Sequence, residues 1–110
     1  MNWLAWVRWQ LDDRQIESLI DEIGARCRQT VVERVLPRIA GMSLPEARGY
    51  LRARSARLVP CQAVRVVVAA GLPRESATWL GEIAKQDLIE RTLLDVRKRR
   101  WDASWRRKAA

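Results

Sequence analysis

From Ile16 onward, apolar residues recur at every third or fourth position: Leu19, Ile20, Ile23, Cys27, Val31, Val35, Leu36 and Ile39. That spacing puts them on one face of a helix that begins at Asp12 or Asp13 and lasts to Ile39. Charge supports the same reading. Asp12, Asp13, Glu17, Asp21 and Glu22 occupy its first turns and Arg26, Arg28, Arg34 and Arg38 come later, the order a helix dipole favours. Gly24 is a candidate for a bend, and Pro37 is expected to kink the end or close it a turn early.

Gly41 ends this helix, and Ser43-Leu44-Pro45-Glu46 opens the next as a capping box, with Pro45 in the first turn. The second helix is expected to run to about Val59, with Leu44, Ala47, Leu51 and Leu58 buried. Arg54 falls in that stripe, where its stem would lie along the core edge or its charge would serve an acidic partner. Pro60 and Gly71 bracket residues 61–70, which contain Val66, Val67 and Val68. A lone strand has no sheet to join, so a short helix with Val64, Val67 and Val68 inward is expected. After Pro73, a last helix runs from about Arg74 towards Arg100. Leu80, Ile83, Ala84, Leu88 and Leu94 project on one side of it and Ile89, Leu93 and Val96 on another, so it needs cover on both. Residues 1–110 thus read as a single all-α domain, a small bundle of four or five helices.

Six of the seven aromatic residues are Trp, and five of these lie near the ends, at Trp3, Trp6, Trp9, Trp101 and Trp105. Large rings in such positions require cover. For the Trp-rich segment 1–11 the expected fate is packing on the domain, followed by a homo-oligomer or protein partner surface, and then a membrane interface. Trp3, Trp6 and Trp9, with Leu93 and Val96 of the two-faced last helix, form the candidate protein-interaction set.

The net charge is +8, from 18 Arg and three Lys against 13 acids. Residues 1–41 are neutral, with six Arg and six acids. The excess lies in residues 42–72, with five Arg against Glu46, and in residues 97–108, with seven bases against Asp102. Within the basic extension 97–110, Arg97, Lys98, Arg99, Arg100, Trp101, Trp105, Arg106, Arg107 and Lys108 are the candidate nucleic-acid-binding residues: cations neutralise phosphates and Trp can stack on bases. The alternative is that the helix continues and tucks both Trp against Trp3, Trp6 and Trp9.

Several classes are disfavoured. With no His, the chain lacks the usual general base and the commonest metal ligand. Two Cys cannot build an ordinary structural zinc site, and no Gly-rich phosphate loop is present. Asp13, Glu17 and Asp21 share a helix face but read as a solvated, dipole-matched surface. No catalytic, metal or cofactor residue is therefore assigned. Cys27 and Cys61 are expected to be small buried hydrophobes in a reducing cytoplasm. No apolar run reaches the roughly 20 residues of a membrane span, and a secretory signal is not expected. The sequence predicts a non-enzymatic interaction module whose basic extension engages an anionic partner, nucleic acid first. The alternatives are a helical oligomer or adaptor and a peripheral membrane-surface protein.

Overall fold

The computed structural model describes residues 11–109, which form three rods joined by two short turns. The first, α1, is an α-helix over Asp13–Thr30 that passes through a π-helical turn at Val31–Val35 into one last α turn, Leu36–Ile39. Helix α2 covers Leu44–Ala69 and α3 covers Ser76–Ala109. Three helices thus replace the four or five expected, and the described residues contain no strand.

Each boundary has a local cause. Asp12 caps α1 reciprocally: its carboxylate accepts from the Gln15 amide at 2.8 Å, and the Gln15 side chain accepts from the Asp12 amide at 3.0 Å. At α2, Ser43 Oγ accepts from the Glu46 amide at 3.3 Å and donates to Glu46 Oε1 at 2.8 Å. Glu46 therefore returns to the Ser43 hydroxyl. Ser43→Ala should lower stability by about 1 kcal/mol, read as a lower thermal midpoint with an unchanged helical spectrum. An unchanged midpoint would mean that the cap contributes nothing. At the far end of α2, Gly71 takes φ +75. Its amide bonds Val68 O at 3.0 Å and the Leu72 amide bonds Val67 O at 2.9 Å, a Schellman closure that suits Gly. Helix α3 begins two residues later than Arg74, because the Ser76 amide and hydroxyl both donate to Pro73 O, at 3.0 and 2.6 Å.

Neither suspected break interrupts a rod. Gly24 sits inside α1 with the helix continuing through it. Pro37 does not end the helix early: a wider π turn directly precedes it, with the Leu36 amide reaching back to Val31 O, and one more α turn, Leu36–Ile39, follows. The π turn also bears on packing. The buried row Leu19, Ile23, Cys27, Val31, Val35, Ile39 advances four residues at a time, and four residues overshoot an α-helical turn by 40°. Underwinding at Val31–Val35 reduces the overshoot.

Pro60, expected to start a separate helix, lies within α2. A mid-helix Pro costs about 3 kcal/mol. Continuing the helix, however, keeps Ala63, Val66 and Val67 in the row begun by Ala47, Leu51, Ser55 and Val59, all of them 1% exposed or less. Two buried Val at about 1.5–3 kcal/mol each, together with Ala63, outweigh the Pro. The same row corrects the expected stripe: Arg54 and Val68 are exposed, and Leu58 is only half-buried. Arg54 lies on Tyr50, itself packed at the edge of the core. Its guanidinium sits 5.5 Å from the Tyr50 ring centre and its Nε donates to the Tyr50 hydroxyl at 3.1 Å.

Helix α3 packs against both α1 and α2, which covers most of its two apolar sides but leaves Ile83 and Leu94 of the first side exposed. Leu80, Ala84 and Leu88 are buried, as are Ile89, Leu93 and Val96. Thr92, also buried, donates its hydroxyl to Leu88 O at 2.7 Å. Gly81 of α3 faces α2 closely enough that a Cβ there would come within 3.3 Å of Ala63 Cβ. No helix among the described residues is long and apolar enough to cross a membrane.

Candidate functional site

Val96 is the last buried residue of α3, yet the helix continues to Ala109. At 1.5 Å per residue the remaining stretch, residues 97–109, extends about 20 Å as a single helix. Nothing in its sequence stops it, for it contains neither Gly nor Pro. The 60 Å long axis of the molecule, against 24 and 22 Å across, reflects this elongation. We refer to residues 97–109 as the arm.

Arg97, Lys98, Arg99, Arg106, Arg107 and Lys108 are all exposed. None forms an ion pair among the described residues. Asp102, the arm's one acid, also lies outside those pairs. Arg107 Nε makes a long 3.4 Å contact to Ala103 O within its own helix. Six of the seven expected bases are thus available to a partner.

Arg100 is the seventh, and its role is different. Its Nη2 donates to Met42 O and, at 3.3 Å, to Ile39 O. Ile39 is the last residue of α1, where the dipole is negative, and its carbonyl also accepts from the Met42 amide at 3.0 Å; Met42 lies in the turn that follows. Arg100 therefore fastens the root of the arm to α1. Only the contact between distant parts of the chain reveals this, and the sequence gives no local signal for it.

Trp101 and Trp105 are 69% and 64% exposed. Their rings stack nearly parallel, 6° apart with centres 6.4 Å from each other. At 100° per residue they share one side of α3 with Leu94, which is 62% exposed. Packing against Trp3, Trp6 and Trp9 involves residues outside those described. Leu93 and Val96, expected at a partner surface, are instead 5% and 6% exposed and belong to the core. Leu94 faces out instead, as does Ile83 earlier in α3. Open grooves flank Leu94, one of about 730 Å³ between α1 and α3 and one of about 390 Å³ between α2 and α3.

Below the arm, charges are paired across helices. Arg48 of α2 bonds Glu90 of α3, and Arg91 bridges Asp21 of α1 at 3.6 Å and Asp87 at 2.9 Å. The Arg48 hydrogen bond lowers the Glu90 carboxyl below its ordinary pKa, with the fields of Arg48, Arg97 and Arg52 acting in the same direction. Being exposed, these pairs orient side chains more than they stabilise the fold. The acidic face of α1 is likewise solvated, with Asp13, Glu17 and Asp21 exposed. Arg57 and Arg65 stand exposed on α2 with Arg54, forming a second basic line. Cys27 is buried, and that burial, together with the nearby Cys61, pushes its thiol pKa up; Cys61 is exposed, against expectation.

No family model matches the chain, and neither the curated proteins nor the solved structures compared with it give a match, so the functional reading rests on this geometry.

Proposed function

We propose that the arm of α3 is a nucleic-acid-binding element that works by phosphate neutralisation. The observation that carries this reading is a helix extending past its core with six unpaired bases and two exposed Trp. A solvated charged face usually lies on a helix whose other face is buried, whereas none of the arm's described side chains is buried. Its shape favours one form of nucleic acid. An unflanked helix 10–12 Å across matches the roughly 12 Å major groove of duplex DNA. The deep, narrow major groove of A-form RNA does not admit it.

In this reading Arg99 and Arg106, on the side of the arm opposite the Trp pair, contact phosphates together with Lys98, Arg107 and Lys108. Each neutralised phosphate releases condensed counterions. Trp101 and Trp105, nearly parallel with centres 6.4 Å apart, present exposed ring faces on which an unpaired base could stack.

A basic chain attracts any polyanion weakly, so the test compares duplex DNA, duplex RNA, single-stranded DNA and heparin by fluorescence anisotropy at near-physiological salt. Duplex DNA should bind most tightly, and duplex RNA and heparin should be weaker. Equal affinity for all four, or none for any, rejects the reading.

A further inference from the structure

Beside the root of the arm, three guanidinium groups surround one carboxylate. Arg48 of α2 bonds Glu90 of α3, and Arg97 lines the same groove between the two helices. Arg52 is exposed one turn beyond Arg48 and about 40° around α2 from it. The fields of Arg97 and Arg52 also reach Glu90. Neither of these two forms an ion pair of its own among the described residues. Two positive charges are therefore left over, beside a groove whose apolar lining includes Leu44, Pro45 and Leu94.

That combination fits a sugar–phosphate strand, which offers an anion and the C–H faces of a sugar at every step. A helix lying in the major groove has such a strand along each side. At 100° per residue Arg97 and Lys108 project about 160–180° away from Arg99 and Arg106, so the two sets serve opposite strands. The strand on the Arg97 side must pass the place where the arm joins the body, and the groove between α2 and α3 opens there. We infer that this strand continues from the arm onto the body, where Arg97, Arg48 and Arg52 hold its phosphates and Glu90 is the internal counter-ion that a phosphate displaces.

The exchange at Arg48 is a mild one. Both members of the Arg48–Glu90 pair are solvated, with side chains 42% and 55% exposed, and such a pair contributes little in water. A phosphate offers Arg48 the same bidentate geometry and draws on Arg97 and Arg52 as well. Once displaced, the Glu90 carboxylate still stands beside the strand and repels it. Glu90 therefore opposes binding at the groove, and loss of its charge should strengthen it. The inference rests on the nucleic-acid reading of the arm and adds to it a contact on the three-helix body.

Duplex-DNA binding by the full chain over a range of salt, read by fluorescence anisotropy, tests it. Arg48→Gln with Arg52→Gln should make the log–log slope shallower by about 1.8, at roughly 0.9 for each phosphate. Arg48→Lys with Arg52→Lys should keep most of the native slope. Arg57→Gln with Arg65→Gln removes the same charge from the other side of α2, farther from the arm, and should leave the slope near native. Glu90→Gln should tighten binding severalfold at near-physiological salt. A native slope in the Arg48 and Arg52 double variant, an equal loss from the Arg57 and Arg65 pair, or a Glu90→Gln chain that binds no more tightly would each overturn the inference and leave the arm's role standing. If the native chain binds no duplex DNA, the inference and the reading of the arm fall together.

Discussion

Leu93→Asp should unfold the protein under conditions where Leu94→Asp leaves it folded. The two residues are neighbours in sequence and chemically identical, but Leu93 is 5% exposed and Leu94 is 62% exposed. A carboxylate at position 93 would replace a core side chain at the edge of the groove that Arg48 and Arg97 also line, and its desolvation would cost more than those two partly solvated cations return. The expected loss is about 4 kcal/mol or more. That is a large part of the roughly 5–15 kcal/mol that holds a domain of this size together. At position 94 the same substitution faces water and should change stability by no more than about 0.5 kcal/mol. Urea unfolding followed by circular dichroism at low protein concentration separates the two. Equal effects would mean that the outer side of α3 has been misplaced.

The contrast between those neighbours also shows what the sequence could and could not convey. Leu80 and Leu94 project within about 40° of each other, so they read as one apolar side. In the structure the buried row on α3 is Leu80, Ala84, Leu88, Thr92, Val96, advancing four residues at a time. Each step rotates the core-facing direction by 40°, and after four steps it has left the line of Leu80 and Leu94. A fixed projection cannot register that drift, because it depends on how α1 and α2 lie against the helix.

Local chemistry is easier to read. The start at Asp12 or Asp13, the cap at Ser43 and the stop at Gly71 each involve a few consecutive residues, and the structure shows all three, adding a capping box at Asp12. Pro60 misleads because its penalty is local and its compensation is not: Ala63, Val66 and Val67 stabilise the continued helix only through what they touch on other helices. Pro37 is similar, since a π turn rather than a break precedes it. The arm is partly legible. Its bases and Trp pair stand out in composition, but where the core ends beneath them, and that Arg100 is committed to α1, follow only from the tertiary structure.

The largest expected effect on binding comes from changing four of the arm's six exposed bases, leaving the Arg100 anchor in place. Changing Lys98, Arg99, Arg106 and Arg107 to Gln removes up to four phosphate partners while keeping good helix formers in place. Because all four are exposed, the melting temperature should barely move. Affinity for duplex DNA at physiological salt should fall on the order of a hundredfold or more, almost irrespective of sequence. Arg100→Gln would be a poor substitute, since it would loosen the root of the arm along with its charge.

The most direct measurement is the dependence of duplex-DNA affinity on salt for the native chain and for this four-residue variant. If the arm neutralises phosphates, log affinity should fall linearly with log salt for the native chain. The variant's slope should be shallower by about 3, at roughly 0.7 to 0.9 for each phosphate that is no longer neutralised. Parallel lines for the two proteins, or a native slope near zero, would contradict the assignment of the arm to nucleic acid.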